Sequence, residues 1–400
     1  MKTWLLCICQ LWVAAAATAG DKAPSAEQSL REALFTRTDR DGETYGREQL
    51  DILFWRNTRY LLTEPSHSMA LRALDEFIAN HGEKSIREPW RRALLQRDLW
   101  QLFDWTYTGH VDVPVDAQWG DLQARLATAI RRLALDEKQI AALPDNLNLP
   151  MGPGGIPPGL LDRRGDWVIA ANADGPSATQ AHQKSFGGRS VFLVMIRMPQ
   201  GRAQAEGWLA GLQKLARGGD ASAERASRFR EPFPPGTTWA LVRLMLTIDR
   251  QGVIRPTQFA ESVQLRRYAG AAPSGSPSSA FEPKEFDLDR PHAPRLRALG
   301  EDEYDFQNVH FFSSGVDAIE QTGASPWRSP AGLQRSALAT CGGCHMGSGL
   351  YSINSFSGLT RFDTPANVAS TFELESVRAV AWKTVQPDWL ALSQLWNEAR

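Results

Sequence analysis

Two cysteines and a histidine stand together in the last third of the chain, in Cys341-Gly342-Gly343-Cys344-His345. Thiols three positions apart on one turn are spaced to add to two vinyl groups on one porphyrin edge, and the imidazole that follows is placed to bind the iron as proximal ligand. Gly342 and Gly343 carry no side chain to crowd the ring, and their permissive backbone lets the turn close over it. The expected chemistry is that of one covalently bound haem c, held by Cys341, Cys344 and His345. Other uses of a Cys-x-x-Cys pair, as a structural disulfide, a redox disulfide or half of a zinc site, fit less well. A redox disulfide belongs at a helix N-terminus, whereas Ser336 to Thr340 reads as the end of a helix leading into the motif. A zinc site needs two further ligands, and no compact histidine pair at finger-like spacing is present.

The other end of the chain supplies the context that thioether attachment needs. Lys2 forms a basic start, Trp4 to Ala19 is apolar and uncharged, and Ala17-Thr18-Ala19 offers small residues for cleavage, so residues 1–19 read as a secretory signal peptide. Cleavage there removes Cys7 and Cys9 and leaves Cys341 and Cys344 as the remaining cysteines. Leu5-Leu6-Cys7 is too short an apolar lead for a lipoprotein anchor. Val191 to Met198 is too short to span a bilayer and is interrupted by Arg197. The protein is therefore expected to be exported without a transmembrane span, and periplasmic in a Gram-negative cell.

The second axial position of the iron is the open question. After His345 there is no histidine, and the one methionine, Met346, adjoins the proximal ligand and so lies on the wrong side of the ring. The first candidate is His310, in Phe306-Gln307-Asn308-Val309-His310-Phe311-Phe312, as distal ligand or distal acid–base group. Met245, Met198, His292 and His67 are further candidates, and a five-coordinate iron is the alternative to all of them.

Around this site the sequence predicts an α+β protein. A hydrophobic content of 42% with 14 tryptophans in 400 residues supports substantial cores and argues against disorder. The formal net charge of -1, which becomes -2 without Lys2, comes with no basic stripe, which argues against nucleic-acid binding. Residues 20–143 form a helical region: Leu50, Leu53, Phe54 and Leu61 share one face, as do Ala70, Ala73, Leu74, Phe77 and Ile78, and then Leu122, Leu126, Ile130 and Leu133. Ser66 is placed to cap the second helix and Pro144 to stop the last. Arg37 to Glu48 has the look of a calcium loop, but Arg37 stands where the first carboxylate ligand is needed, so a solvated loop between helices is preferred.

Residues 144–159, rich in proline and glycine, read as a linker that lacks the Gly-Lys-Ser/Thr of a phosphate loop. Residues 160–290 carry strand patterns at Trp167–Ala171, Val191–Met198, Ala240–Ile248 and Ser262–Tyr268. A turn at Asp249–Gly252, a helix through Ala205, Trp208, Leu209 and Leu212, and a last strand at Phe286 and Leu288 complete an antiparallel sheet with one packed helix. Ala271–Ser279 is a surface excursion. Residues 291–400 form the mainly helical haem-binding segment, in which Val368, Phe372, Ala379 and Trp382 either line the porphyrin or form ordinary core. Pro387 starts a terminal helix bearing Trp389, Leu392 and Trp396.

The helix Gly332–Thr340 followed by Cys341–His345 resembles the c-type cytochromes over about the last hundred residues. The resemblance implies an exported monohaem electron carrier with a redox partner protein. The chain departs from the small class I members of that family, which usually take a downstream methionine as sixth ligand. That departure motivates a second reading, an enzyme or sensor with an open distal site for peroxide or oxygen, where His310 would move a proton. A third is a structural haem in a binding protein. The acidic run Glu301-Asp302-Glu303 with Asp305 is read as a solvated loop in preference to a partner-docking patch.

Overall fold

The computed structural model describes residues 24–38, 44–45, 61, 64–107, 117–150, 155–172, 183, 187–217, 231–270, 280–288, 294–298, 349–353 and 367–398. The fold is α+β: one antiparallel sheet packed between helices.

Helix α1 (Ala26–Phe35) opens on a reciprocal cap. The Gln28 amide donates to Ser25 Oγ at 3.2 Å and the Ser25 amide donates to Gln28 Oε1 at 2.9 Å, which satisfies donors that the first turn leaves unpaired. Residues 37–38 (β1) and 44–45 (β2) then pair as a short antiparallel ribbon, where the sequence reading placed a plain loop between helices. In α2 (Ser66–Ala79) the predicted face is buried at Ala70, Leu74 and Phe77, but Ser66 is not its cap; the helix includes Ser66, and Pro65 before it makes no side-chain bond. A single turn, α3 (Gly82–Ser85), leads into α4 (Pro89–Tyr107). The stripe Leu122, Leu126, Ile130 and Leu133 of α5 (Ala117–Leu133) is fully buried. Helix α6 (Glu137–Ala141) repeats the reciprocal cap with Asp136 and Gln139 and ends before Pro144. The expected linker is partly pinned: the Asn146 amide group donates to the Ala260 carbonyl at 2.9 Å and accepts from the Ala260 amide at 2.7 Å.

The sheet runs β8-β7-β6-β5-β4-β3-β9, with every neighbouring pair antiparallel: β3 (Val168–Asn172), β4 (Ser190–Arg197), β5 (Thr238–Ile248), β6 (Ile254–Gly270), β7 (Ala280–Leu288), β8 (Leu296–Ala298) and β9 (Asn367–Ser370). Asp249 makes the β5–β6 turn, its Oδ1 accepting from the amides of Gln251 and Val253 at 2.9 Å each, with Gly252 at φ +83°. Strand β6 therefore starts at Ile254, well before Ser262. The sequence pattern is broken there because register shifts flank Leu244, and Pro256, opposite Leu246, has no amide to give to a ladder.

Successive side chains of a strand point to opposite faces. In β4, Val191, Leu193 and Met195 join a core with α1, α2, α4 and α5, while Val194 and Ile196 join a smaller cluster with α7 (Arg202–Arg217). Both faces are covered, so β5 is buried almost throughout, where alternation suggested one buried face. The helix-side core also takes in Ala379 of α8 (Phe372–Thr384) and Trp389, Leu392 and Trp396 of α9 (Pro387–Glu398). The divisions at 143/144 and 290/291 thus run through a shared core.

Candidate functional site

Cys341, Cys344, His345 and His310 lie outside the described residues, as do the helix expected before the motif and His292. The structure does describe the chain on either side. The segment leaves the sheet at β8, on one edge, and rejoins it at β9, on the other. Between them, Gly349–Ser352 form a 3-10 turn, closed by the Ile353 amide donating to the Leu350 carbonyl at 3.0 Å. Leu350 and Ile353 are buried in the α7-side cluster, whose centre is aromatic. The Phe233 ring lies 4.8 Å from Tyr268, 5.5 Å from Trp239 and 5.5 Å from Trp208, and Trp208 lies 5.8 Å from Trp239.

The other ligand candidates divide by face. His67 is buried and its Nδ1 donates to the Leu61 carbonyl at 2.7 Å, so it is a packing histidine. Met245 belongs to the helix-side core. Met198 belongs to the α7-side cluster, with Leu350 and Ile353. Of the residues named as possible porphyrin contacts, Ala379 and Phe372 pack into the helix-side core and Trp382 lies against Gly188.

A buried layer of charge, which no motif in the sequence announces, lies between α4 and the sheet. Arg97, Gln101 and Asp104 recur at the helical period on one face of α4 and are at most 1% exposed. Asp104 is ion-paired to Arg189, which precedes β4, and its Oδ2 lies 2.6 Å from Lys383 Nζ of α8. Lys383 Nζ also donates to Asp388 Oδ2 at 2.9 Å and lies 5.4 Å from the centre of the Trp100 ring. A second set joins Arg97 Nε to Glu261 Oε1 at 2.5 Å, with Ser190 Oγ donating to Glu261 Oε2 at 2.5 Å and Arg243 Nε at 3.6 Å from the same oxygen.

Burial pushes the Asp104 carboxyl above its ordinary value, against the pull of Lys383 and Arg189, and Asp388 adds to the push. This layer ties α4, the sheet, α8 and α9 together. No family model, curated protein or solved structure matches the chain. No local pattern could have revealed the layer, because its partners come from strands and helices far apart in the sequence.

Among the described residues no group of three or more histidine, cysteine or acidic side chains is arranged to hold a metal ion. No described helix is long and apolar enough to cross a membrane.

Proposed function

We propose that the protein is an exported monohaem c-type cytochrome-domain protein that passes electrons through a covalently attached haem c to a redox partner protein. The observation that carries this reading is the pentapeptide Cys341-Gly342-Gly343-Cys344-His345, in a chain whose other cysteines, Cys7 and Cys9, fall within the expected signal peptide. Bound there, the haem supplies one-electron ferric–ferrous chemistry. Cys341 and Cys344 hold the porphyrin edge through sulfur, and the His345 imidazole occupies the proximal position.

The α7 side of the sheet is favoured for this group. The chain from His345 to Gly349 can extend no further than about 14 Å at ~3.5 Å per residue, and Leu350 and Ile353 are anchored beside Trp208, Trp239 and Tyr268. His310 is the first candidate for the distal position, and Met198, in the same cluster as Leu350 and Ile353, is the described residue to test beside it. The lack of any downstream ligand other than Met346 supports a second reading, an open distal site for a small ligand, with His310 moving a proton.

Haem staining after denaturing electrophoresis, with optical and electron paramagnetic resonance spectra of the ferric protein, tests the proposal. Covalent haem that disappears in Cys341→Ala/Cys344→Ala, with a low-spin spectrum, is the result expected of a carrier. Covalent haem surviving that double change would defeat the assignment, and a high-spin ferric spectrum would select the open-site reading. Low-spin character lost in His310→Ala or in Met198→Ala identifies the sixth ligand.

A further inference from the structure

Away from the haem segment, a cavity of about 330 Å³ opens where α3, the start of α4, the end of α5 and the β5–β6 turn meet. Its walls include Lys84, Arg92, Arg131, Arg132 and Arg250, against one carboxylate, Glu83. Part of this charge has a structural use. Arg92 Nη2 donates to the carbonyls of Arg132, Leu133 and Ala134 at 3.2–3.4 Å, closing the end of α5, and Arg132 donates to the Ile78 carbonyl. Arg250 lies 3.4 Å from Asp136. Carbonyl groups orient guanidinium groups without cancelling their charge. Among the described residues, no carboxylate forms an ion pair with Lys84, Arg92, Arg131 or Arg132, and Arg92 Nε is buried without a hydrogen-bond partner. Burial lowers the Arg92 pKa from its ordinary value, and the Arg250 charge lowers it further, against the smaller opposing pull of Glu83 and Asp136.

Guanidinium groups converging on a cavity are suited to an oxyanion, whose oxygens accept several of their planar donors at once. The volume is at the small end of ligand cavities, about 300–1,000 Å³, which limits the guest to a small molecule. We propose that this pocket binds a small oxyanion of charge -2 or more, of the phosphate or polycarboxylate class, between Arg92, Arg131 and Arg250. The site is independent of the haem reading.

Isothermal titration of the full protein with inorganic phosphate and with citrate, against chloride at matched ionic strength, is the test, alongside thermal unfolding in the same series. A saturable one-to-one isotherm with either anion, and a midpoint that rises with its concentration, is expected; which of the two binds tells phosphate-class from carboxylate-class guests. Arg131→Gln should weaken binding about tenfold or more while leaving the ligand-free midpoint in place, because no carboxylate partner is lost. Lys84→Gln, on an exposed side chain, gives a second weakened variant should Arg131→Gln fail to fold. Stabilisation by phosphate and citrate no greater than by chloride, or affinity unchanged in the variants, would overturn the proposal.

Discussion

Lys383 is a fully buried cation with a carboxylate on either side, and its removal tests how the interior handles charge. Taking one partner out of a buried ion pair leaves the others uncompensated, a cost of about 3–5 kcal/mol. Lys383→Met keeps much of the volume and removes the charge, leaving Asp104 and Asp388 near each other with Arg189 as the remaining cation among the named partners. The Asp104 carboxyl already lies above its ordinary value, and loss of Lys383 takes away a pull in the opposite direction, so it moves further up. A carboxyl whose folded pKa exceeds its unfolded one contributes stability below the unfolded pKa, and loses it as pH rises through the folded one. The deficit of Lys383→Met, from urea denaturation, is therefore expected to be small near pH 4 and to grow toward neutrality. A deficit that is constant with pH, or below about 1 kcal/mol at pH 7, would show that the pair is not what holds these groups.

At the scale of elements, α8 rests on the loop before β4 because that loop has no side chain there. Gly188 has φ +67°, and a Cβ on it would stand 2.3 Å from Cζ3 of Trp382. Gly188→Ala combines the left-handed backbone cost of about 1–2 kcal/mol with overpacking of about 1–3 kcal/mol. A loss of about 2–5 kcal/mol is expected from the same denaturation measurement. Adding Trp382→Leu should recover some of the overpacking but none of the backbone cost, and tolerance of Gly188→Ala alone would mean the two elements are not in contact. This docking was not legible in the sequence, where Gly187-Gly188 carries no sign of its distant partner. Legibility followed the range of the interaction. Helices α2, α5 and α9 and strands β4 and β5 carry their periodicity within one window. The edge strands β8 and β9 have too few residues for a pattern and exist because β7 and β3 offer them unpaired edges. The residues proposed to hold a haem follow the same rule. Cys341, Cys344 and His345 identify themselves by adjacency, whereas the charged face of α4 looks like a solvent face until β6, α8 and α9 close over it.

For the whole molecule, the described residues at the C-terminal end belong to the folded body. Residues 367–398 complete the body: β9 extends the sheet beside β3, and Trp389, Leu392 and Trp396 are buried in the core shared with α4 and α5, with the Trp389 ring 5.6 Å from that of Trp100. Burying side chains of this size contributes about 1.5–3 kcal/mol each, and a folded domain stands only about 5–15 kcal/mol above its unfolded state. Ending the chain at residue 366 removes these three side chains, Lys383 from beside Asp104 and one edge strand of the sheet together. No cooperative unfolding transition is then expected by circular dichroism. Cys341→Ala/Cys344→Ala is expected to behave oppositely, with the proposed covalent haem lost but a cooperative melt and helical spectrum retained, because the helix-side core is assembled from α1, α2, α4, α5, the sheet, α8 and α9. A truncated chain that melts cooperatively would place the C-terminal helices outside the folding unit. A double alanine variant that does not fold would make the cofactor, rather than this core, the condition for the fold.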